Sequence, residues 1–176
     1  MRLWTFLIAL LSTFETIRTT SFETSLRKAW SEGWKTKNLT QMSARRGHTM
    51  SLWKNKIWIL GGEGLDSQYD RIRYNDVWSA DVSTSHLPTF RLELESAPWS
   101  ARAYHQTVSF TKSDNNKSLW IFGGAAPSCT NFPCGDVWSS QDAVNWKKHP
   151  VVDTRWEGRY AHSAVAYGGM VFVFGG

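Results

Sequence analysis

An internal repeat with a period of 57 residues is the feature that most constrains the fold of this 176-residue chain. An arginine followed three residues later by a histidine occurs three times, and both members of the pair recur at the same interval. The pairs are Arg45 and His48, Arg102 and His105, and Arg159 and His162. A chain built from copies of one unit is expected to fold by stacking those units, because a single copy cannot bury its own apolar faces.

An apolar run that ends in two glycines follows each of these pairs. The runs are short, rich in β-branched and aromatic residues and bounded by turn-forming residues, which predicts buried strands. Paired glycines permit backbone angles that other residues resist, or the close approach of another segment. The glycine pairs are Gly61 and Gly62, Gly123 and Gly124, and Gly175 and Gly176.

An Asp-Val-Trp-Ser sequence completes the repeat in two copies, with Asp76 and Trp78 in one and Asp136 and Trp138 in the other. We predict that the aspartates accept hydrogen bonds from local backbone N–H groups where a turn leads into a strand. The chain has eleven tryptophans. Each can bury about 150–250 Å², which corresponds to several kcal/mol at about 25 cal/mol/Å². Packing between neighbouring sheets therefore explains the tryptophan content without a ligand.

No segment shows a sustained helical period, so each unit is predicted to be four short antiparallel strands, named a to d in chain order. In the first complete copy these strands are predicted at 48–53, 57–60, 75–80 and 87–94. Two complete copies occupy 43–99 and 100–156, and partial copies occupy 27–42 and 157–176.

These motifs resemble the kelch repeat, in which a double glycine follows an apolar strand and aromatic residues lie downstream. The resemblance covers about residues 27–176, and the opening Arg-x-x-His is similar to the variant of secreted kelch-like proteins. It implies an all-β fold, a partial β-propeller of four-stranded antiparallel blades. Propellers typically have about four to eight blades, whereas the predicted strands make three. The missing blades would come from a longer chain, of which this sequence is an N-terminal fragment, or from self-association.

We interpret the repeated residues as structural, because recurrence at a fixed interval is expected of bonds that every unit needs. The alternative is that the three arginines clamp an acidic substrate. The sequence contains no Gly-rich phosphate loop, His-x-x-x-His pair or Gly-x-Ser-x-Gly elbow. We therefore predict no catalytic residue, no cofactor and no metal. The turn at 140–146 is similar to the Ser-x-Asp…Trp turn of sialidase-type propellers but lacks its glycine.

The b–c and d–a connections of a four-stranded antiparallel sheet lie on one rim, and the a–b and c–d connections lie on the other. The long polar stretches 63–75 and 125–135 are predicted to be loops on the first rim, together with the segments before the repeated arginines. Long loops on a rigid scaffold commonly carry the binding surface. The prediction is a non-catalytic protein-interaction scaffold that uses this rim. The alternative is a carbohydrate-active or glycan-binding propeller, of the sialidase or galactose oxidase kind, with active residues outside this sequence. The expected partner is accordingly a protein or a glycan.

The first residues fit a secretory signal peptide at 1–21, followed by a propeller segment at 22–176. A charged start precedes the apolar run 3–11, whose helix would rise only about 14 Å against a hydrocarbon core of about 30 Å. We therefore expect no transmembrane span. Asn38 and Asn116 each begin an N-glycosylation acceptor sequence. The expected location is secreted or lumenal; the alternative is that the apolar run is a strand or helix of the domain.

The chain has two cysteines, Cys129 and Cys134. In an exported chain a disulfide between them is expected. The alternatives are two free thiols or part of a metal site, although a structural zinc normally has four protein ligands.

The formal net charge of +5 arises entirely from residues 1–46, because residues 47–176 hold twelve basic and twelve acidic residues. Nucleic-acid binding requires basic residues clustered on a folded surface. The neutral balance of the repeat region therefore excludes nucleic acid as the expected partner.

Overall fold

The computed structural model describes residues 42–82, 89–111, 117–129, 132–151 and 156–176. The predicted signal peptide, the two glycosylation sites at Asn38 and Asn116, and the partial copy at 27–42 except its last residue lie outside these ranges. Within the ranges, no helix has the length and apolar character needed to cross a membrane.

Three antiparallel sheets make up the described part of the chain. The first sheet has the order β1 (Thr49–Trp53), β2 (Lys56–Leu65), β3 (Arg71–Asp81) and β4 (Arg91–Leu94). The second sheet has the order β5 (Gln106–Thr111), β6 (Lys117–Phe122), β7 (Val137–Ser140) and β8 (Trp146–His149). The third is a hairpin of β9 (Ser163–Tyr167) and β10 (Met170–Phe174). The predicted all-β fold with four-stranded antiparallel units is confirmed.

A two-residue turn joins β1 to β2 at Lys54 and Asn55, which have φ angles of 50° and 58°. Two consecutive positive φ angles are characteristic of the hairpin turn whose twist matches that of the flanking strands. The turn between β9 and β10 repeats this conformation with two glycines, Gly168 and Gly169. The same local geometry therefore opens the first and third copies of the repeat.

Apolar side chains from the first two sheets form a common core. The largest buried members include Trp53 and Trp58, which lie on β1 and β2 with ring centroids 5.6 Å apart. Leu119 and Ile121 of β6 are fully buried in the same cluster. Trp53, Trp58 and Trp99 thus pack in the core that the two sheets share, as the sequence predicts.

The stretch 63–75 differs from its prediction as a long loop. Strand β2 continues through the glycine pair to Leu65, and β3 begins at Arg71, so that only 66–70 forms the turn. The register shifts between Leu60 and Gly62, where Gly61 has a φ of +55°. A glycine in this left-handed conformation bends the strand without ending it. The result is a β-ribbon that extends beyond the glycine pair.

Successive repeats are joined by backbone hydrogen bonds at the same positions. The amide of Gly62 donates to the carbonyl of Arg102, and the amide of Gly124 donates to the carbonyl of Arg159, both at 2.8 Å. A Cβ at Gly123 would lie 2.5 Å from the Arg159 carbonyl oxygen. This close approach explains why a glycine occupies the position.

A second series of bonds links the segments that precede the first strand of each repeat. The amide of Tyr104 donates to the carbonyl of Gly47 at 2.7 Å, and the amide of Ala161 donates to the carbonyl of Tyr104 at 2.9 Å. These three residues occupy equivalent repeat positions, and their φ angles are +57°, +62° and +55° for Tyr104, Gly47 and Ala161. The d–a segments of all three repeats are therefore neighbours on one rim.

Candidate interaction rim

The repeated arginines are bound within their own sheets. Arg102 Nη1 donates to the carbonyl of Gly123 at 2.8 Å, and its two Nη atoms contact the two carboxylate oxygens of Asp136 at 2.6 and 2.9 Å. Arg45 makes the same contacts with Gly61 and Asp76 at 3.1, 2.6 and 2.9 Å. Each of these guanidinium groups faces its own aspartate, so the structure does not bring the arginines together as a clamp for an acidic substrate.

The partners predicted for the aspartates were wrong. Besides the guanidinium group, Asp76 accepts a bond from the indole Nε1 of Trp78, and Asp136 accepts one from Trp138, both at 2.7 Å. The arginine lies more than 30 residues before its aspartate in each repeat. It reaches the carboxylate only in the folded sheet, so the local sequence around the aspartate does not reveal it. Burial alone would raise the pKa of Asp136, but the bonds and charge of Arg102 hold it below its usual range.

Arg159 retains part of this pattern. Its Nη1 donates to the carbonyl of Gly175 at 3.1 Å, as Arg45 and Arg102 do with their glycines. Its guanidinium group also lies 4.8 Å from the ring of Trp156. Within the described residues, no carboxylate pairs with it, because the third sheet has only two strands there.

The repeated histidines lie at the junctions between repeats. His105 Nε2 is 3.1 Å from the hydroxyl of Thr49 in the preceding sheet. Its pKa is lowered to about 3, first by burial and then by the charge of Arg102. Burial also lowers the pKa of His48 and His162. The lowered pKa of each histidine favours the neutral side chain at pH 7.

The structure joins Cys129 and Cys134 in a disulfide, with Cα atoms 5.3 Å apart. The expected disulfide is therefore present, and neither sulfur is a free thiol or a thiolate ligand for a metal. The backbone of Cys134 also serves the junction with the third repeat, because its amide donates to Gly124 and its carbonyl accepts from the amide of Arg159, at 2.9 and 3.2 Å.

Large apolar side chains are exposed on the rim that carries the b–c and d–a connections. On the ribbon, Tyr69 is 83% exposed, and Phe132 in the disulfide-bonded connection is 58% exposed. Leu65, Ile72, Val151 and Tyr160 are exposed on the same rim. Large apolar side chains are exposed at the opposite rim as well, where Val144 lies in the second c–d turn and Tyr167 and Met170 flank the third a–b turn.

Two depressions lie between these connections. One, of about 560 Å³, is lined by Ser128 and Gly135 of the second b–c connection and by Lys148 and Val151 at the end of the same repeat. Another, of about 370 Å³, lies beside the ribbon and contains Arg46, Glu63 and Leu65 among its lining residues. Both are open to solvent and present mixed polar and apolar surfaces.

The sequence analysis did not identify a charged row in which three arginines beside and on the ribbon surround Glu63. Arg46 Nε donates to Glu63 Oε1 at 3.0 Å, and the Nε atoms of Arg73 and Arg71 lie 3.4 and 3.9 Å from Glu63 Oε2. The hydroxyl of Tyr104 donates to Glu63 Oε1 at 3.1 Å. A comparison of the repeats position by position gives the signal that could have revealed it, because the second copy has alanines where the first has Arg46 and Glu63.

The turn at 140–146 is a closed hydrogen-bonded unit. Asp142 Oδ1 accepts bonds from the backbone amides of Val144 and Asn145 at 2.9 and 2.7 Å. Ala143 adopts a φ of +64° within this turn. Burial would raise the pKa of Asp142, but the bonds from Asn145 and Val144 hold it well below its usual range. These polar groups serve the turn itself.

Comparisons with known proteins agree with this architecture. A family model described as the KLHDC2/KLHL20/DRC7 Kelch-repeats domain matches residues 14–176. The chain is 29% identical over 150 residues to Host cell factor 1 of Homo sapiens and 30% identical over 143 residues to Host cell factor of Drosophila melanogaster. It is 29% identical over 140 residues to the Rab9 effector protein with kelch motifs of Mus musculus.

These alignments cover 75% of this chain but only 7%, 9% and 33% of the three relatives. The chain thus spans a small part of the curated relatives that it matches. Among solved structures, that of YjhT superimposes with a TM-score of 0.55 and 16% identity, covering 75% of this chain and 34% of the other. That likeness supports the fold, a partial propeller of four-stranded antiparallel units.

Proposed function

The chain belongs to the kelch-repeat family, and from that premise we propose that it binds a partner protein through the rim of its b–c and d–a connections. The exposure of large apolar side chains on that rim carries the proposal. Exposed aromatic and aliphatic groups on a rigid surface are characteristic of protein interfaces, where a few such side chains supply most of the affinity.

The internal bonding of the repeats supports the same function. The arginine, aspartate and glycine network is largely buried in the two complete sheets, while the connections between their strands differ in length, charge and exposure. A rigid scaffold with variable connections is suited to recognition. One relative carries the word effector in its name, together with its kelch motifs, which agrees with an interaction role.

Site-specific photo-crosslinking tests this proposal. A photoreactive phenylalanine analogue replaces Tyr69 or Val151 on the proposed rim, and Asn145 on the opposite rim is the matched control, since all three positions are exposed. We expect the Tyr69 and Val151 variants to crosslink to the same protein in extracts of the source cells, and the Asn145 variant to give no such product. Equal crosslinking from Asn145, or none from either rim position, would contradict the proposal.

We also propose that the chain functions in a secreted or lumenal compartment. The disulfide between Cys129 and Cys134 supports this, because such bonds persist in oxidising environments. Mass spectrometry of the protein recovered from its source tests the proposal: a fully reduced pair of thiols after alkylation in situ would argue against it.

A further inference from the structure

We propose that Arg46, Arg71 and Arg73, held in place by Glu63, form a binding site for the carboxylate side chains of an acidic segment of the partner protein. This inference rests on the proposed function of the rim and specifies the chemistry of what binds there.

The row is built by strand pairing. Arg46 and Glu63 form an antiparallel bridge in which each amide donates to the other's carbonyl at 2.8 Å. Glu63 is paired in register with Arg73, and Leu65 is paired with Arg71. Side chains of residues directly opposite on adjacent strands lie on the same face of a sheet. The backbone therefore fixes two guanidinium groups on either side of one carboxylate, with a third beside them.

The orientation of the arginines leaves their outer nitrogens available. Each of the three directs its Nε atom toward Glu63, at 3.0, 3.4 and 3.9 Å for Arg46, Arg73 and Arg71. The bonds described for these arginines use none of their Nη atoms. A guanidinium group has five N–H donors in a planar fork, and the Nη pair matches the two oxygens of a carboxylate. The side chains of Arg46 and Arg71 are 67% and 57% exposed, so these two present their Nη atoms to solvent, whereas those of Arg73 and Glu63 are 18% and 1% exposed.

The cluster carries excess positive charge. Three guanidinium groups surround one carboxylate, and burial of Glu63, which alone would raise its pKa, is outweighed by the bonds from Tyr104 and Arg46 and the charges of Arg71 and Arg73. Glu63 therefore remains ionised at neutral pH. The local charge is about +2, and two buried atoms, Glu63 Oε2 and Arg73 Nε, have no hydrogen-bond partner in the described residues. These two buried atoms lie 3.4 Å apart and face each other, so an added anion would offset the excess charge by accepting bonds from the outer Nη atoms.

Of the two complete repeats, only the first carries this row. The bridge between Arg46 and Glu63 has an equivalent in the second repeat, where Ala103 and Ala125 pair in the same way. The backbone geometry therefore does not require charged side chains at these positions. Since the residues that serve the fold recur, a charged cluster confined to one repeat is better explained by recognition.

The surroundings favour an acidic protein segment as the ligand. Leu65 and Ile72 on the same ribbon are 60% and 41% exposed, and Tyr69 lies in the turn between its strands. A nucleic acid would require a longer basic surface, and residues 47–176 are neutral overall. A segment in which acidic and apolar residues alternate would place carboxylates on the arginines and apolar groups on the ribbon.

The test measures fluorescence anisotropy with the full chain and two labelled, terminally blocked peptides, one of alternating Glu and Leu and one of alternating Gln and Leu. We expect the Glu peptide to bind about tenfold more tightly, and Arg46→Gln or Arg71→Gln to remove about tenfold of that affinity each, as for one charge-assisted hydrogen bond. Raising NaCl from about 0.05 to about 0.3 M should weaken binding of the Glu peptide alone.

Controls separate local effects from misfolding and from general electrostatics. Arg91→Gln removes an equally exposed arginine that pairs with Glu93 on β4, and it should change the affinity by less than about twofold. Arg71→Lys retains the charge without the planar fork and should lie between Arg71→Gln and the unmodified chain. Far-UV circular dichroism checks that each variant retains its sheets.

Equal affinities for the two peptides, no binding of either at about 1 mM, or a loss with Arg91→Gln as large as that with Arg71→Gln would overturn the proposal. If crosslinking from Tyr69 persists while the arginine variants leave the Glu preference unchanged, the carboxylate site fails and the rim function stands. If neither rim position crosslinks while the preference for the Glu peptide depends on the arginines, the carboxylate site stands and the proposed rim function fails.

Discussion

The two complete sheets share one hydrogen-bond network but differ in the connection between their second and third strands. In the first sheet this connection is the β-ribbon that ends at the turn 66–70, and in the second it is an irregular loop closed by the disulfide. Both connections end at an equivalent residue. Tyr74 and Cys134 lie two positions before their aspartates, and each carbonyl accepts a bond from the arginine amide of the next repeat, at 3.1 and 3.2 Å.

This difference shows which part of the repeat is constrained. The junction fixes the glycine pair at the start of the connection and Tyr74 or Cys134 at its end. Between those points the chain is free to be a ribbon or a cross-linked loop, because the bonds to the next repeat are kept in both cases. New binding residues can therefore arise in the connection without loss of the fold.

The largest effect is expected from the glycines that both sheets share. Gly123→Val places a side chain against the Arg159 carbonyl at a left-handed φ of +59°, and Gly61→Val does the same against Arg102. We expect both variants to give no soluble folded protein, as measured by soluble yield and circular dichroism. Gly168→Val is the matched control, with a φ of +57° and open space around it. It should cost only the backbone strain, about 1–2 kcal/mol, and an equal loss there would show that close packing at the junction is not the cause.

The next effect concerns the aspartates of both sheets. Asp76→Asn and Asp136→Asn each leave a guanidinium group that is 4% or 0% exposed without its carboxylate. Urea denaturation should show a loss of about 3–5 kcal/mol in each case. Because the pKa of Asp136 is lowered by Arg102, its contribution is full above the usual carboxyl pKa and is lost as the pH falls through the lower folded value.

Arg159→Gln sharpens this test, since the structure gives Arg159 no aspartate in the described residues. Its bonds go to the carbonyls of Gly175 and Glu157 at exposed positions. We expect a change of less than about 1 kcal/mol. A loss as large as that of Asp136→Asn would mean that the arginine, rather than the ion pair, determines stability.

Loss of the disulfide should weaken the junction at Cys134 and leave the junction at Tyr74 unchanged. Reduction, or replacement of both cysteines by serine, removes a short closed loop worth about 2 kcal/mol by its chain entropy. Hydrogen exchange should then accelerate at the Arg159 amide, which donates to Cys134, and remain unchanged at the Arg102 amide, which donates to Tyr74. Acceleration at both amides would indicate that the two connections are not independent.

A small effect is also expected from pH. The pKa of His105 is about 3 in the folded chain against 6.5 in the unfolded one, so the unfolded state binds more protons as the pH falls below 6.5. Between pH 7 and 5.5 the free energy of unfolding should fall by about 1 kcal/mol from this residue. His105→Asn should make the dependence shallower in urea titrations, and an unchanged slope would show that His105 does not contribute.

The sequence predicted the sheets because the repeated residues are strong local signals. An apolar run before two glycines indicates a buried strand whatever surrounds it, and β1 lies close to its predicted position while β2 begins one residue before its predicted start. The partner of Asp76 could not be predicted in the same way, since Arg45 is 31 residues away and reaches it only in the folded sheet. The ribbon was missed because its alternating pairs, such as Glu63 with Arg73, become apparent only when the register is known.

The left-handed residues before each first strand show the same limit. Gly47 is a recognisable signal for a positive φ, but Tyr104 and Ala161 adopt that conformation without one. Their strain is offset by bonds to the neighbouring repeat, which sequence alone does not display. Tyr104 also uses its hydroxyl on Glu63, so one residue serves both the junction and the charged row.

The bonds from Tyr104 to Gly47 and from Ala161 to Tyr104 attach each repeat to the one before it through the backbone. Tension applied at one end would be transmitted along this line of peptide groups from repeat to repeat. Detachment of one unit would free the carbonyl or amide of its neighbour, so the repeats should separate one after another under force.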